Sequence, residues 1–552
     1  MSTITGATLL VRSLRQQGVE HMFGVVGFPV QPVAAAAQKE GMTYVGMRNE
    51  QAASYAAQAS GYLTGRPGAC LTVCGPGVIH ALAGLANAKW NAWPMIHIGG
   101  ASPTYQNGMG AFQEERQVMA ATPYCKYAHQ IDRADRIPYF VEQAVRTSIF
   151  GRPGAVYLDF PDNVIREEID EDSVTAAATV PEPPRFHAAP ESVEAALDAL
   201  ESAERPLVIV GKGMAWSRAE DEVRAFIERT RLPFLASPMG KGVMDDGHAL
   251  SVGAARSLAL READVVFLMG ARLNWIMHFG LSPRFSPNVR VIQLDINPEE
   301  IGTNVPTEVA LPGDGRAVVS QLNEALASRQ WFYPDDTAWR SALAESASKN
   351  QATVEPMMDD DAVPMNYYRA LRDVREWMPE DAIIVSEGAN TMDIGRTQLP
   401  NAKPRKRLDA GTYGTMGVGL GFAIAAAVAC PDQPVVAVEG DSGFGFSGME
   451  IETICRLGLP VKTVVLNNGG IGASAGEAPN VEGVLPPGAL TSGARYDLMM
   501  EAFGGRGFFV EDPADLRKAL DDSMAHDGPT LVNVIINPKA ERKPQKFRWL
   551  TT

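Results

Sequence analysis

The chain has 552 residues, a formal net charge of −16, 45% hydrophobic and 21% charged residues, a composition ordinary for a globular protein and a length too great for a single core. The acidic balance argues against nucleic acid as a partner, because phosphate-backbone binding needs clustered basic surface. No uninterrupted apolar run reaches membrane-spanning length, and the N-terminus lacks a basic-then-apolar secretory signal. The cysteines, five in number with no second pair to complete a zinc site, read as buried free thiols in a reducing cytoplasm.

In chain order, short apolar strands alternate with helix-compatible runs. The first stretch carries strands at 21–26, 42–48, 69–74, 94–98 and 155–159. Asn49-Glu50-Gln51 opens an alanine-rich helix to Tyr62, and the strand ending at Cys74 runs into the turn Gly75-Pro76-Gly77. That rhythm predicts a doubly wound parallel sheet. The proline-rich segment from Val180 to Pro190 is a linker, and a second α/β run follows with strands at 207–210, 265–269 and 291–295. Between about 330 and 365 the chain turns polar, as at a boundary. The expected units are 1–182, 190–335 and 362–540, with a tail from 541 to 552. His80 and His97 sit in apolar surroundings and are expected to be packed core residues.

The third unit holds the most informative pattern. The strand 435–440 stops at Asp441-Ser442-Gly443, a helix-compatible run follows from Phe446 to Arg456, and the strand 461–466 ends in Asn467-Asn468-Gly469-Gly470. In a β-α-β unit both polar ends lie at the carboxyl edge of a parallel sheet, where such sheets bind ligands. A carboxylate and a carboxamide oxygen arriving together suit a hard divalent cation that shares its oxygen ligands with phosphates, and the glycines admit a diphosphate close to the backbone.

This arrangement resembles the Gly-Asp-Gly…Asn-Asn motif of thiamin-diphosphate enzymes, with Ser442 in place of the second glycine. The resemblance implies thiamin diphosphate held through Mg2+ by Asp441, Asn468 and Gly470. It implies further cofactor contacts from Val26, Thr72, Asn390, Thr415, Met416, Ser442, Gly443 and Ile471. Glu50, at a strand-to-helix junction, would share a proton with N1′ of the aminopyrimidine so that the 4′-imino group generates the ylid, a task suited to an apolar site. The three units would be pyrimidine, central nucleotide and diphosphate domains of the pyruvate-oxidase-like architecture. Glu50 and Asp441 would then face one another across a subunit interface, in a homodimer or homotetramer.

Several stretches narrow the resemblance to the 2-hydroxyacyl-CoA lyase and oxalyl-CoA decarboxylase family: Phe23 to Pro29, Gly151 to Gly154, Gly270 to Trp275, Pro404 to Asp409 and Glu439 to Glu450. Both activities yield formyl-CoA, one releasing an aldehyde or ketone and the other CO2. The decarboxylases carry a Tyr-Glu pair where Phe112 and Gln113 stand, and a tyrosine where Gly472 stands. The less polar and roomier pocket favours a lyase acting on a 2-hydroxyacyl-CoA such as 2-hydroxyisobutyryl-CoA, with oxalyl-CoA decarboxylase as the alternative. An inactive nucleotide-binding homologue is disfavoured by the intact Glu50, Asp441 and Asn468. The resemblance also implies ADP in the central domain, contacted by Arg152, Lys212, Arg272 and Asp295. Arg256, Arg405 and Arg407 are candidates for CoA phosphates. For the tail, with Phe547, Arg548 and Trp549, a lid over bound CoA and a disordered end both stay open.

Overall fold

The computed structural model describes residues 2–472 and 483–543. Three parallel sheets organise them, each built from short strands, the inner ones buried on both faces and covered by helices. In spatial order the first sheet runs Thr43–Gly46, His21–Gly24, Gly68–Thr72, Met95–Ala101, Ala155–Pro161, Tyr127–Gln130. The second runs Phe234–Ala236, Pro206–Val210, Val265–Met269, Arg290–Asp295, Val309–Pro312. The third runs Arg407–Asp409, Ile383–Glu387, Val435–Gly440, Val461–Asn467, Thr530–Ile535, Arg506–Val510. The expected α/β class and parallel sheets are what the chain forms. Among the described residues no helix is long and apolar enough to cross a membrane.

The first and third sheets share one hydrophobic core. Helix Glu50–Thr64 lies against helix Gly419–Ala429, both rich in small residues, so their backbones approach closely. A Cβ on Gly421 would stand 2.7 Å from the carbonyl oxygen of Ala52, closer than any side chain tolerates. Tyr62, Trp93 and Phe422 fill the adjoining space, with Trp93 4.9 Å from Tyr62 and 5.1 Å from Phe422 between ring centres. The second sheet has a core of its own.

Two features differ from the sequence reading. The polar stretch at the expected boundary contains helix Ala338–Met358, capped by Thr337 and burying only Trp339 and Leu343. Its helix-forming residues carry it without an apolar stripe to announce it. The run 446–456 is two helices, Asp441–Ser447 and Glu450–Arg456, with the poor helix former Gly448 between them. A short antiparallel pair, Thr3–Thr5 with Glu168–Asp170, also ties the two ends of the first unit together.

Candidate active site

Glu50 is the first residue of its helix, behind Asn49, whose Oδ1 accepts the Gln51 N–H at 2.7 Å. Its side chain is 15% exposed, and Oε2 lies 3.2 Å from His80 Nδ1. The other oxygen faces Gly77, where an added Cβ would stand 3.6 Å away. The backbone leading to Glu50 is gripped by the third unit. Arg48 and Asn49 each donate an N–H to the Glu450 carboxylate at 3.0 Å, and Thr453 Oγ1 donates to it at 2.8 Å. Burial pushes the Glu450 carboxyl up to about 7. Arg456 Nη2 adds a bond to the Gly46 carbonyl at 2.5 Å.

His80 is therefore not the core residue expected. Its side chain is 58% exposed and bonded to Glu50, because helix Pro76–Asn91 turns Val78, Ala81 and Leu85 inward and His80 outward. His97 is as expected: buried, bonded at 2.8 Å between Nε2 and Thr72 Oγ1, and held near 3 by burial. The Thr72 hydroxyl is thus engaged within the core, whereas Val26 is exposed at the edge of the same sheet.

Beside this edge lies the loop that carries Phe112 and Gln113. Gly75, at φ 55°, leaves no room for a side chain, since a Cβ would stand 2.5 Å from the Gln113 carbonyl oxygen. Gln113 itself has φ 55°, and its Oε1 lies 3.4 Å from Cys74 Sγ. Glu114 fastens the loop by accepting N–H groups of Gly108, Gly110 and Ala111. Phe112 is 65% exposed and meets Phe28 edge to face, ring centres 5.7 Å apart.

At the edge of the third sheet, Asp441 is buried and accepts N–H groups from Ser442 at 2.8 Å, Gly469 at 2.8 Å and Gly470 at 3.2 Å. Desolvation nonetheless raises its carboxyl to about 6. Asn468 is buried next to it and donates Nδ2 to the Gly472 carbonyl at 2.9 Å. Gly388, at φ 96°, faces Gly440 closely enough that a Cβ would stand 3.1 Å from the Gly440 nitrogen. Asn390 Nδ2 and Thr415 Oγ1 are buried without a hydrogen-bond partner. Met416 and Ser442 are partly buried, Gly443 packs on Glu387, and Ile471 is exposed. Gly472 has φ 62°, and no described atom lies within 4 Å of an added Cβ. Ala473 and Ser474, which follow it, lie outside the described residues.

Sequence reasoning missed the floor of this edge. Glu387 and Glu439 are buried side by side at the ends of neighbouring strands, each followed by a glycine, Gly388 and Gly440. Glu387 accepts N–H groups of Gly417 and Gly419, and burial lifts it to about 7; Glu439, beside it, is raised well above its ordinary value. The repeated Glu-Gly pair was the available signal.

Two sheet edges thus carry the candidate groups, one with a carboxylate at a helix start and one with a carboxylate, a carboxamide and close-packed glycines. Three family models match the chain: Thiamine pyrophosphate enzyme, N-terminal TPP binding domain over 4–121, central domain over 193–322 and C-terminal TPP binding domain over 388–534. The chain belongs to the thiamine pyrophosphate enzymes. It is 49% identical to 2-hydroxyacyl-CoA lyase 1 of Homo sapiens, over 99% of this chain and 97% of that protein. It is 44% identical to the oxalyl-CoA decarboxylase of Escherichia coli K12, over 97% of this chain and 95% of that protein. The 2-hydroxyacyl-CoA lyase of Saccharomyces cerevisiae is 36% identical, over 99% of both.

In this thiamine pyrophosphate enzyme the central unit contributes a second polar region. A cavity between the three sheets is lined by Trp93, Lys212, Gly270, Arg272, Asn274 and Gly411, among others. Lys212 Nζ sits 5.8 Å from the Trp93 ring centre, with no carboxylate in ion-pairing distance among the described residues, and burial beside Arg272 and Arg152 lowers its pKa far below the usual lysine value. Arg272 bonds the Trp90 carbonyl at 2.8 Å and Thr412 Oγ1 at 3.2 Å. Asp295 is taken up by Arg152 at 3.1 Å and by the Asn297 N–H at 2.8 Å, while Arg152 also pairs with Glu300 at 2.9 Å.

The three arginines considered for CoA are not brought together on a surface. Arg407 is fully buried on Asn401 Oδ1 and the Leu399 carbonyl. Arg405 pairs with Glu220 at 2.7 Å, and Arg256 is held by His278 and the Ile276 carbonyl. Internal partners occupy all three, so a phosphate role is not carried further for them. Of the tail, Arg542 reaches Asn390 Oδ1 at 2.7 Å, and the Lys543 N–H donates to Tyr368 Oη at 2.9 Å. The lid expectation for the remainder lies outside the described residues.

Proposed function

We propose that this protein is a carbon–carbon lyase that cleaves 2-hydroxyacyl-CoA to formyl-CoA and an aldehyde or ketone. The observation that carries the reading is the shape and polarity of the acyl end of the site. Phe112 and Phe28 form an apolar edge-to-face pair on the first unit, where Gln113 stands beside Cys74, and Gly472 on the third unit has no described atom within 4 Å of an added Cβ. No carboxyl or phenol of the decarboxylase pattern stands at 112, 113 or 472. An apolar, open end favours a carbon substituent over an oxalyl carboxylate. Identity alone does not separate the activities, since the oxalyl-CoA decarboxylase of Escherichia coli and the 2-hydroxyacyl-CoA lyase of rice are both 44% identical to the chain.

The site fits thiamin diphosphate with Mg2+. Asp441 sits in a pocket that raises its carboxyl to about 6, a penalty that a cation would relieve, and Asn468 and the Gly470 carbonyl complete an oxygen donor set. Asn390 Nδ2 and Thr415 Oγ1 are unpaired donors available to phosphate oxygens, and Gly388 and Gly440 let the backbone approach. Bound there, the cofactor supplies a nucleophilic carbon and an electron sink for the bond being broken. Glu50 holds the proton exchanged with the pyrimidine ring, and Glu450 and Asn49 fix the backbone from which Glu50 projects.

A homodimer follows from the same reading, with Glu50 of one copy serving the diphosphate edge of another. Exposed Phe446, Met449 and the stacked Trp90–Tyr413 pair supply apolar surface for it. The same reading assigns ADP to the cavity lined by Lys212 and Arg272, where a bound anion would draw the buried Lys212 amine back toward its charged form. The five unpaired thiols suit a reducing cytoplasm.

The test is a change of preference. Gly472→Tyr should cut cleavage of 2-hydroxyisobutyryl-CoA more than that of glycolyl-CoA, by tenfold to a hundredfold for a clash of about 1–3 kcal/mol. Adding Phe112→Tyr and Gln113→Glu should raise oxalyl-CoA decarboxylation above the parent's. Equal losses on both hydroxyacyl thioesters would remove the acyl-end argument.

A further inference from the structure

Among the described residues His80 is the one side chain bonded to the Glu50 carboxylate, and it differs from Glu50 in a way that matters for proton traffic. Glu50 is 15% exposed and His80 58%, with Nδ1 3.2 Å from Oε2. A carboxyl that exchanges a proton with a cofactor ring in a confined site must be re-equilibrated with solvent between turnovers. One Glu50 oxygen faces Gly77, where an added Cβ would stand 3.6 Å from it. The other is covered by the imidazole. In the single chain His80 is much the more exposed of the two groups.

We infer that His80 is the relay through which Glu50 exchanges protons with solvent. This rests on the assignment of Glu50 as the group that exchanges a proton with the pyrimidine. Imidazole is suited to the task because its two nitrogens can take and give a proton at opposite ends of one ring. With the proton on Nδ1, the ring donates it to Glu50 Oε2 while Nε2 takes one from hydronium or a buffer acid. The ring ends as the other tautomer, Glu50 ends protonated, and the ring's net charge is unchanged. The reverse passage empties Glu50. His80 is a positioning and relay residue that acts through Glu50.

The experiment measures proton exchange at C2 of bound thiamin diphosphate without substrate, by acid quench and NMR, alongside cofactor affinity by titration calorimetry. The proteins are the wild type, His80→Ala, His80→Asn and Glu50→Gln, each with and without added imidazole. The relay requires affinity within about twofold of wild type in both His80 variants. It requires exchange slowed at least about a hundredfold, the low end of what positioned proton transfer contributes. Imidazole in the buffer should restore His80→Ala in proportion to its concentration and leave Glu50→Gln unmoved. Wild-type exchange in His80→Ala with stalled exchange in Glu50→Gln would overturn the relay and keep the role of Glu50. So would slowed exchange that imidazole does not restore, or full exchange in His80→Asn, which keeps a hydrogen-bond donor but cannot pass a proton on. Normal exchange in Glu50→Gln would overturn both assignments.

Discussion

Asp441 concentrates the chemistry of the diphosphate edge in one side chain. Three backbone N–H groups hold its two oxygens in place, yet its carboxyl rises to about 6, because burial outweighs those bonds. A cation tips that balance toward the ionised form. Asp441→Ala should therefore abolish retention of thiamin diphosphate on gel filtration while the fold, read by circular dichroism, is kept. A variant that keeps both cofactor and activity would remove the motif from the site. At this scale the sequence was legible where a residue ends a strand. Asp441, Asn468 and Glu50 all lie at strand-to-loop or strand-to-helix junctions, as read. It was not legible where orientation decides. Val78-Ile79-His80-Ala81-Leu82 looks uniformly apolar around a lone histidine, and only the helical phase turns His80 toward Glu50. The arginines misled for the opposite reason. Charge alone suggests a ligand, but Arg407 and Arg405 spend theirs on Asn401, Leu399 and Glu220.

Packing between elements sets where Glu50 points. Helix Glu450–Arg456 grips the backbone before Glu50 through a carboxylate raised from 4.5 to about 7. A carboxyl with a raised folded pKa leaves the native state holding a proton that the unfolded chain has lost, so stability falls as pH rises from about 4.5 through about 7. The shift corresponds to about 3 kcal/mol across that window. Glu450→Gln cannot titrate, so the wild-type Tm should drop relative to the variant's as pH is raised from 4.5 to 8. Parallel Tm profiles would show that Glu450 is ionised at little cost. Gly421 is the second lever. Gly421→Leu forces a side chain onto the Ala52 carbonyl and should destabilise by roughly 1–3 kcal/mol, visible as a lower Tm. Strands in buried parallel sheets read clearly as apolar runs between glycines. Helix Ala338–Met358 did not, because its hold on the fold is two buried residues, Trp339 and Leu343, in a polar run.

The whole molecule combines a shared core for the first and third sheets with a separate core for the second. The cavity at Lys212 lies where the three units meet, lined by Asn91 and Trp93 of the first, Arg272 of the second and Gly411 of the third. The three-sheet order was legible because each α/β run is bounded by proline-rich or polar chain; how the sheets share a core was not, since it depends on Gly421 meeting Ala52 across distant segments. The central claim is that this arrangement breaks a carbon–carbon bond next to a hydroxylated carbon. Its most direct measurement gives the enzyme equal amounts of 2-hydroxyisobutyryl-CoA and oxalyl-CoA in one mixture and quantifies formyl-CoA, acetone and CO2 over time. Formyl-CoA matched by acetone, with CO2 a minor product, is the outcome expected. Formyl-CoA matched by CO2, with acetone absent or slower, would contradict the account and make the protein an oxalyl-CoA decarboxylase.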